Sequence, residues 1–236
     1  MAMDALSRLR DAPGSAAVLL DVDGTLAPIV ERPEDSAVPE TTREVLRDLV
    51  ARYALVGVVT GRPGDLACAL VRVEGVEVAG IHGLELSPEA DDWRDRLRAF
   101  AATVDRPVED KGLTVSFHYR TDPEPERSRA ALELVAARAR AEGLRARWGR
   151  MVLEILPPID ADKGTAVQEL LRRAGLERAL FAGDDVTDLD AFGAVERLEL
   201  GVKVAVDSAE APPELLARAD LVVAGTEGLV DLLRTL

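Results

Sequence analysis

Two aspartates stand two positions apart in "LLDVDGTLAPIV", residues 19–30, where an apolar run gives way to a glycine turn. Asp and Gly are ordinary turn residues, yet Asp21 and Asp23 at the end of a buried strand could also aim two carboxylates at one reacting atom. Three more stretches have the same character. "VVTGR" ends an apolar run with Thr60 and Arg62, "DADKGTAV" opens a helical pattern with Lys163, and "FAGDDVTD" ends an apolar run with Asp184 and Asp185. In a doubly wound sheet, ligands bind beyond the carboxyl ends of the strands. If these stretches close strands or open the helices that follow, their polar residues share one rim.

The patterning supplies such a sheet. Residues 17–21 and 55–60 are continuous apolar runs, as strands buried on both faces are. Between them, "PETTREVLRDLVARY" places Val45, Leu46, Leu49 and Val50 at helical spacing. "RPGDLACALVRV" predicts a helix with Pro63 near its start, and "GVEVAGIHG" a short strand. In the last third, "KGTAVQELLRRAG" is an amphipathic helix closed by Gly175. It is followed by "RALFAGDD" (strand), "TDLDAFGAV" (helix), "GVKVAV" and "ADLVVAG" (strands) and "TEGLVDLLRTL" (helix). This alternation predicts an α/β fold with a doubly wound, mostly parallel sheet. The middle loses that rhythm. A helix in "DDWRDRLRAFAATV", a period-two strand in "GLTVSFHYR", an Arg-rich helix in "PERSRAALELVAARARAEG" and one or two strands in "LRARWGRMVLEILPP" suit a small α+β layer. The expected organisation is a core domain over 1–87 and 159–236, interrupted by an α+β cap domain over 88–158.

Composition narrows the function classes. The net charge of −14 argues against a nucleic-acid partner, and an anionic substrate would need locally concentrated positive charge. The chain uses 26 Arg but only three Lys, at 111, 163 and 203; a retained Lys is a candidate for work that needs a compact ammonium. No apolar run approaches the ~18 residues that span a membrane, and the N-terminus has no signal-peptide apolar core. Cys68 is the single cysteine, expected as a small buried residue of its helix, so no cysteine metal site is available. These features lead us to expect a cytoplasmic protein without a membrane partner.

Taken together, "DVDGT", "VVTGR", the Lys of "DKG" and "GDDVTD" resemble the four motifs of the haloacid dehalogenase superfamily. "DVDGTLAPI", "HGLE", "DKGLTVSFHYR", "LEILPPIDADKGTA" and "GDDVTDLDAF" are similar to its trehalose-6-phosphate phosphatases. The resemblance spans nearly the whole chain and implies an aspartyl-phosphate mechanism with Asp21 as nucleophile. It also implies metal ligation by Asp21, by Asp23 through its backbone carbonyl, and by Asp184. Three carboxylates within reach of each other repel unless a cation neutralises them, and hard oxygens beside a phosphate suit Mg2+. Asp23, past the turn, suits proton transfer to the leaving oxygen. Lys163 and Thr60 would hold the phosphoryl oxygens, with Arg62 and Asp185 beside them.

The cap is expected to choose the sugar. Lys111, His118, Arg120 and Glu154 are its polar candidates, and His118 and Arg120, two apart on a strand, would share a face. His82 and Glu85 of "HGLE" could reach the same ligand, whereas Trp93 and Trp148 are assigned to packing. The expected partner is a small sugar phosphate, and the expected assembly a monomer. A phosphatase for sucrose phosphate or another glycosyl phosphate is the alternative within this chemistry; a sugar-phosphate-binding regulator without catalysis is disfavoured because Asp21, Asp23, Lys163 and Asp184 are all present.

Overall fold

The computed structural model describes residues 2–30, 32–149, 151–209 and 211–236. The chain divides into two compact units, 1–86 with 161–236 and 87–160.

In the first unit, the chain runs through α1 (Ala2–Asp11), β1 (Ala17–Leu20), α2 (Glu40–Val50), β2 (Leu55–Val59), α3 (Gly64–Val71) and β3 (Val76–Ala79). The second unit follows with α4 (Arg94–Ala101), β4 (Glu109–Asp110), β5 (Val115–His118), α5 (Pro125–Ala141), β6 (Arg145–Gly149) and β7 (Val152–Leu156). The chain then returns to the first unit through α6 (Lys163–Ala174), β8 (Arg178–Gly183), α7 (Asp188–Val195), β9 (Leu200–Asp207), α8 (Pro213–Arg218), β10 (Leu221–Ala224) and α9 (Gly225–Arg234).

Six strands of the first unit form one parallel sheet in the order β10-β9-β8-β1-β2-β3. Every residue of β1 is fully buried because both faces of the sheet are covered. Val18 and Leu20 face one apolar cluster, which contains Leu6 and Leu9 of α1, Leu46 and Leu49 of α2 and Leu229 of α9. Ala17 and Leu19 face the other, with Val167 and Leu170 of α6 and Phe192 of α7. That second layer includes an edge-to-face pair, Phe181 on Phe192 at 6.2 Å.

In the second unit, a four-stranded antiparallel sheet, β4-β5-β7-β6, carries α4 and α5 on one face. Val115, Phe117, Leu153 and Ile155 point to the helices, packing on Leu97, Phe100 and Leu132. The alternating residues Ser116 and Glu154 therefore fall on the opposite face of the sheet. Both tryptophans pack against the apolar layer, Trp148 edge-on to Tyr119.

Two sequence expectations change. Cys68 is exposed, not buried, because α3 turns Gly64, Ala67 and Val71 inward and leaves position 68 on its outer side. Arg120 does not share a strand with His118: β5 ends at His118, and a turn closed by the Asp122 N–H donating to the Tyr119 carbonyl follows.

Candidate active site

The carboxyl ends of the central strands bring the acidic residues together. Asp21 follows β1 and extends its ladder by one bond, its N–H donating to the Ala182 carbonyl at 2.9 Å. Asp184 follows β8, and Asp188 opens α7 one turn later. Lys163 is the first residue of α6, set by the N-cap Asp162, whose carboxylate accepts from the Thr165 N–H while the Thr165 hydroxyl accepts from the Asp162 N–H. The cap places the Lys163 ammonium against two carboxylates, at 2.9 Å from Asp21 Oδ1 and 2.7 Å from Asp188 Oδ1. The other oxygen of Asp188 accepts the backbone N–H groups of Asp184 and Asp185, each at 2.9 Å. Thr25 donates to Asp184 at 3.2 Å.

Asp21, Asp184 and Asp188 are all buried, and each offers a carboxylate oxygen within 4.8 Å of the others. One ammonium faces three carboxylates. Burial pushes the Asp21 carboxyl well above its usual range; Lys163 opposes the rise, and the charges of Asp188 and Asp184 add to it. Asp184 is raised to about 7, by burial first and then by Asp188. Burial disfavours the Lys163 charge, but Asp188 and Asp21 outweigh it and hold the ammonium protonated beyond its ordinary range. The turn after Asp21 also leaves room. Gly24 has φ +80, and a Cβ there would lie 2.0 Å from Asp184 Oδ2. A buried set of hard oxygens in excess of its local positive charge, with a glycine backbone closely approached by one of the carboxylates, fits a hard divalent cation.

Asp23 points elsewhere. Arg62 forks on it, with Nε donating at 2.6 Å and Nη2 at 2.7 Å, and the Ser36 hydroxyl adds a third bond at 3.2 Å. Arg62 comes from the segment after β2, where Thr60 is buried and its hydroxyl accepts the Arg62 N–H at 3.2 Å. This segment is tied to the one after β3 by the His82 N–H donating to the Thr60 carbonyl at 2.7 Å and the Ile81 N–H to the Arg62 carbonyl at 2.9 Å. The ties hold Ile81 and His82 in the left-handed region, at φ 49 and φ 54, a conformation that non-glycine residues adopt only when their surroundings impose it. Glu85 caps α3, accepting the Gly64 N–H at 2.9 Å.

Of the residues singled out by sequence, Asp21, Lys163 and Asp184 thus form one buried cluster, Asp23 pairs with Arg62, and Asp185 is exposed with its backbone on Asp188. The sequence reading gave no role to Asp188, although it closes the "GDDVTD" motif. In the second unit, Lys111 and Glu154 lie 3.6 Å apart, and His118 bonds Glu109 at 2.7 Å. That bond is the main cause of a depressed Glu109 carboxyl. Arg120 stands exposed beyond the end of β5.

A parallel sheet interrupted by an antiparallel layer is the class of fold seen in a haloacid dehalogenase-like hydrolase from Bacteroides thetaiotaomicron, which superposes with a TM-score of 0.62 at 15% identity, over 93% of this chain and 98% of that one. Within that class the chain belongs to the trehalose-phosphatase family, whose model matches residues 19–106 and 96–217. An uncharacterized glycosyl hydrolase of Mycobacterium tuberculosis is 37% identical over 220 residues, which make up 80% of this chain and 16% of that protein. A protein of Sinorhizobium fredii named "Probable trehalose-phosphate phosphatase" is 34% identical over 212 residues, 83% of this chain and 79% of its own. The C-terminal domain of C. albicans trehalose-6-phosphate phosphatase superposes with a TM-score of 0.76 at 18% identity, over 100% of this chain and 96% of that one. The chain thus spans a small part of the mycobacterial relative and most of the bacterial phosphatase. Among the described residues, no helix is long and apolar enough to cross a membrane.

Proposed function

We propose that this chain is a Mg2+-dependent phosphatase that hydrolyses trehalose 6-phosphate to trehalose and phosphate, the last step of trehalose biosynthesis. The observation that carries the reading is the buried cluster at the carboxyl ends of β1 and β8, where three carboxylates meet one ammonium; membership of the trehalose-phosphatase family supplies the substrate class.

Asp21 is the nucleophile. Its Oδ attacks phosphorus, the bond from phosphorus to the sugar oxygen breaks, and an aspartyl-phosphate forms, which divides one hard hydrolysis into two easier steps. Asp23 protonates the departing sugar oxygen; it then accepts a proton from the water that attacks the aspartyl-phosphate, so phosphate leaves and Asp21 is restored. Arg62, forked on Asp23, is placed to exchange that carboxylate for the oxygens of an arriving phosphate, which leaves Asp23 available for proton transfer. Lys163 orients Asp21 and offers positive charge to the transferring oxygens, and the Thr60 hydroxyl is a further donor. Asp21, Asp184 and the backbone carbonyl of Asp23 would hold Mg2+, with Asp188 behind them. When bound, the cation neutralises charge on the carboxylates and the phosphoryl group.

The sugar is read by the second unit. Lys111, His118 and Glu154 project from the sheet face that the helices leave uncovered, Arg120 follows at its edge, and His82, Glu85 and Asp185 are further polar candidates on the first unit. Directional charged and polar groups of this kind discriminate between hydroxyl patterns, because a wrong sugar leaves them unpaired. Phosphate release from a panel of sugar phosphates with and without Mg2+ tests the reading. Trehalose 6-phosphate should give the highest kcat/KM, and only with the cation. A higher value for sucrose 6-phosphate or a monosaccharide phosphate would assign the chain to the alternative sugar.

A further inference from the structure

Glu154 is a charged residue in an unusual place. It lies in the middle strand pair of the second unit, with its side chain 9% exposed, although it belongs to the face without helices. The register explains the environment: Glu109, Ser116, Glu154 and Arg147 form one row across β4, β5, β7 and β6. Ser116 is the nearest hydroxyl in that row, but it does not serve the carboxylate; its Oγ is buried with no hydrogen-bond partner among the described residues. Thr114 binds Glu154 Oε1 instead, at 2.9 Å. Arg147 forks on Oε2, with Nε at 3.2 Å and Nη2 at 2.6 Å.

Lys111 completes the arrangement at longer range. Its ammonium is 3.6 Å from Glu154 Oε1 and 3.9 Å from Glu109 Oε2, so it lies between two carboxylates without a short bond to either. A buried carboxylate demands a closely bound cation. Arg147 meets that demand through its planar fork, which a lysine ammonium cannot reproduce. The protons of Lys111 are therefore left uncommitted.

We propose that Arg147 is a positioning residue for sugar recognition. It holds Oε2 of the Glu154 carboxylate while Thr114 holds Oε1 and, by satisfying the charge, keeps Lys111 from closing onto it. Without the arginine fork, Lys111 shifts toward Glu154 and is withdrawn from the ligand. Arg147 acts through these two groups and does not touch the sugar. The proposal rests on the reading that this sheet face recognises the sugar.

Steady-state kinetics of the full chain on trehalose 6-phosphate and on p-nitrophenyl phosphate, which has no sugar, test it with Arg147→Gln, Arg147→Lys, Glu154→Gln and the Arg147→Gln/Glu154→Gln double variant. Arg147→Gln should raise KM for the sugar ester by about tenfold or more while kcat changes much less. Its loss on the aryl phosphate should be several times smaller. Arg147→Lys, which keeps the charge but not the fork, should lie between parent and Arg147→Gln. The double variant should be no worse than Glu154→Gln within about twofold, because a neutral amide no longer needs the cation. Equal losses on both substrates would reduce Arg147 to a structural role and overturn the proposal, as would losses that add in the double variant. Impairment by Glu154→Gln with a parent-like KM in Arg147→Gln would overturn the proposal alone. Parent-like KM values in both single variants would remove the sugar reading of this face as well. Should Arg147→Gln fail to fold, the same substrate comparison on Arg147→Lys decides the outcome.

Discussion

The two units gather charged side chains in opposite ways. At the carboxyl edge of the parallel sheet, Asp21 and Asp188 bind Lys163 and Asp184 lies beside them, and their charge is not balanced. On the helix-free face of the antiparallel sheet, Glu109 and Glu154 alternate with His118, Lys111 and Arg147, and each acid has a cationic neighbour. Burial sharpens the contrast. The core carboxylates are pushed upward, Asp184 to about 7, whereas Glu109 is depressed by its bond to His118. A buried excess of negative charge is a cost that folding accepts only where another positive group completes the site. A balanced network is already satisfied, and its use is to present fixed donors and acceptors. In the proposed function, chemistry belongs to the first region and recognition to the second.

The largest effect should come from breaking the unbalanced side. Asp21→Asn removes the proposed nucleophile but keeps the shape of the buried residue. Turnover on trehalose 6-phosphate should fall more than about a hundredfold, as expected when a covalent step is lost, with the circular dichroism of the fold unchanged. A variant that keeps more activity than that would move the covalent step elsewhere. Next in size is the cation. EDTA should abolish phosphate release, Mg2+ should restore it, and Asp184→Ala should raise the Mg2+ concentration needed for half activity by about tenfold or more. Full turnover in EDTA would mean that the carboxylates are balanced some other way, and the contrast between the units would lose its chemical meaning.

The contrast was only partly legible in the sequence. The core site was, because a parallel sheet delivers the residues after its strands to one edge: Asp21, Thr60 and Asp184 each follow a fully apolar run, and the order of the elements does the rest. Asp188 was harder. Four residues past Asp184 at the head of a helix, it reads as a helix-start acid, and its role emerges only when its two oxygens are seen to divide between Lys163 and the backbone of 184–185. At Gly24 and Gly183 the chain also leaves room that no pattern announces; a Cβ at Gly183 would fall 2.2 Å from Asp188 Cγ. In the second unit, a pairing such as Arg147 with Glu154 depends on the register of β6 against β7, which alternation within one strand cannot supply. The expectation that Arg120 shares a strand with His118 failed for a related reason, since where β5 stops is decided by the turn at Tyr119–Asp122. Cys68 shows the limit of helical patterning, as an apolar-looking helix did not reveal which side would be covered.

The smallest expected effect concerns stability, and it tests the charge imbalance without using catalysis. In protein stripped of divalent cations, burial and Asp188 raise Asp184 from the ordinary carboxylate range to about 7, and Asp21 moves in the same direction. A carboxyl with a folded value above its unfolded one is protonated in the folded chain while ionised in the unfolded chain, throughout the interval between the two. Folding therefore takes up a proton there, and stability falls as pH rises through that window, then levels off. Lys163 does not disturb the sign, because its raised ammonium contributes fully at every pH below the ordinary lysine range. The melting temperature in EDTA should accordingly drop by several degrees between about pH 5 and pH 7.5, at roughly 2–4 °C per kcal/mol for a chain of this size. The net charge of −14 changes little in that interval once ordinary carboxylates are ionised, so Asp184→Asn, which cannot ionise, should flatten much of the slope. Saturating Mg2+ should flatten it too, because a bound cation takes the place of the proton. A melting temperature in EDTA that rises with pH, or a slope identical in Asp184→Asn, would show that the buried carboxylates are not in excess and that the two units hold their charges by the same rule.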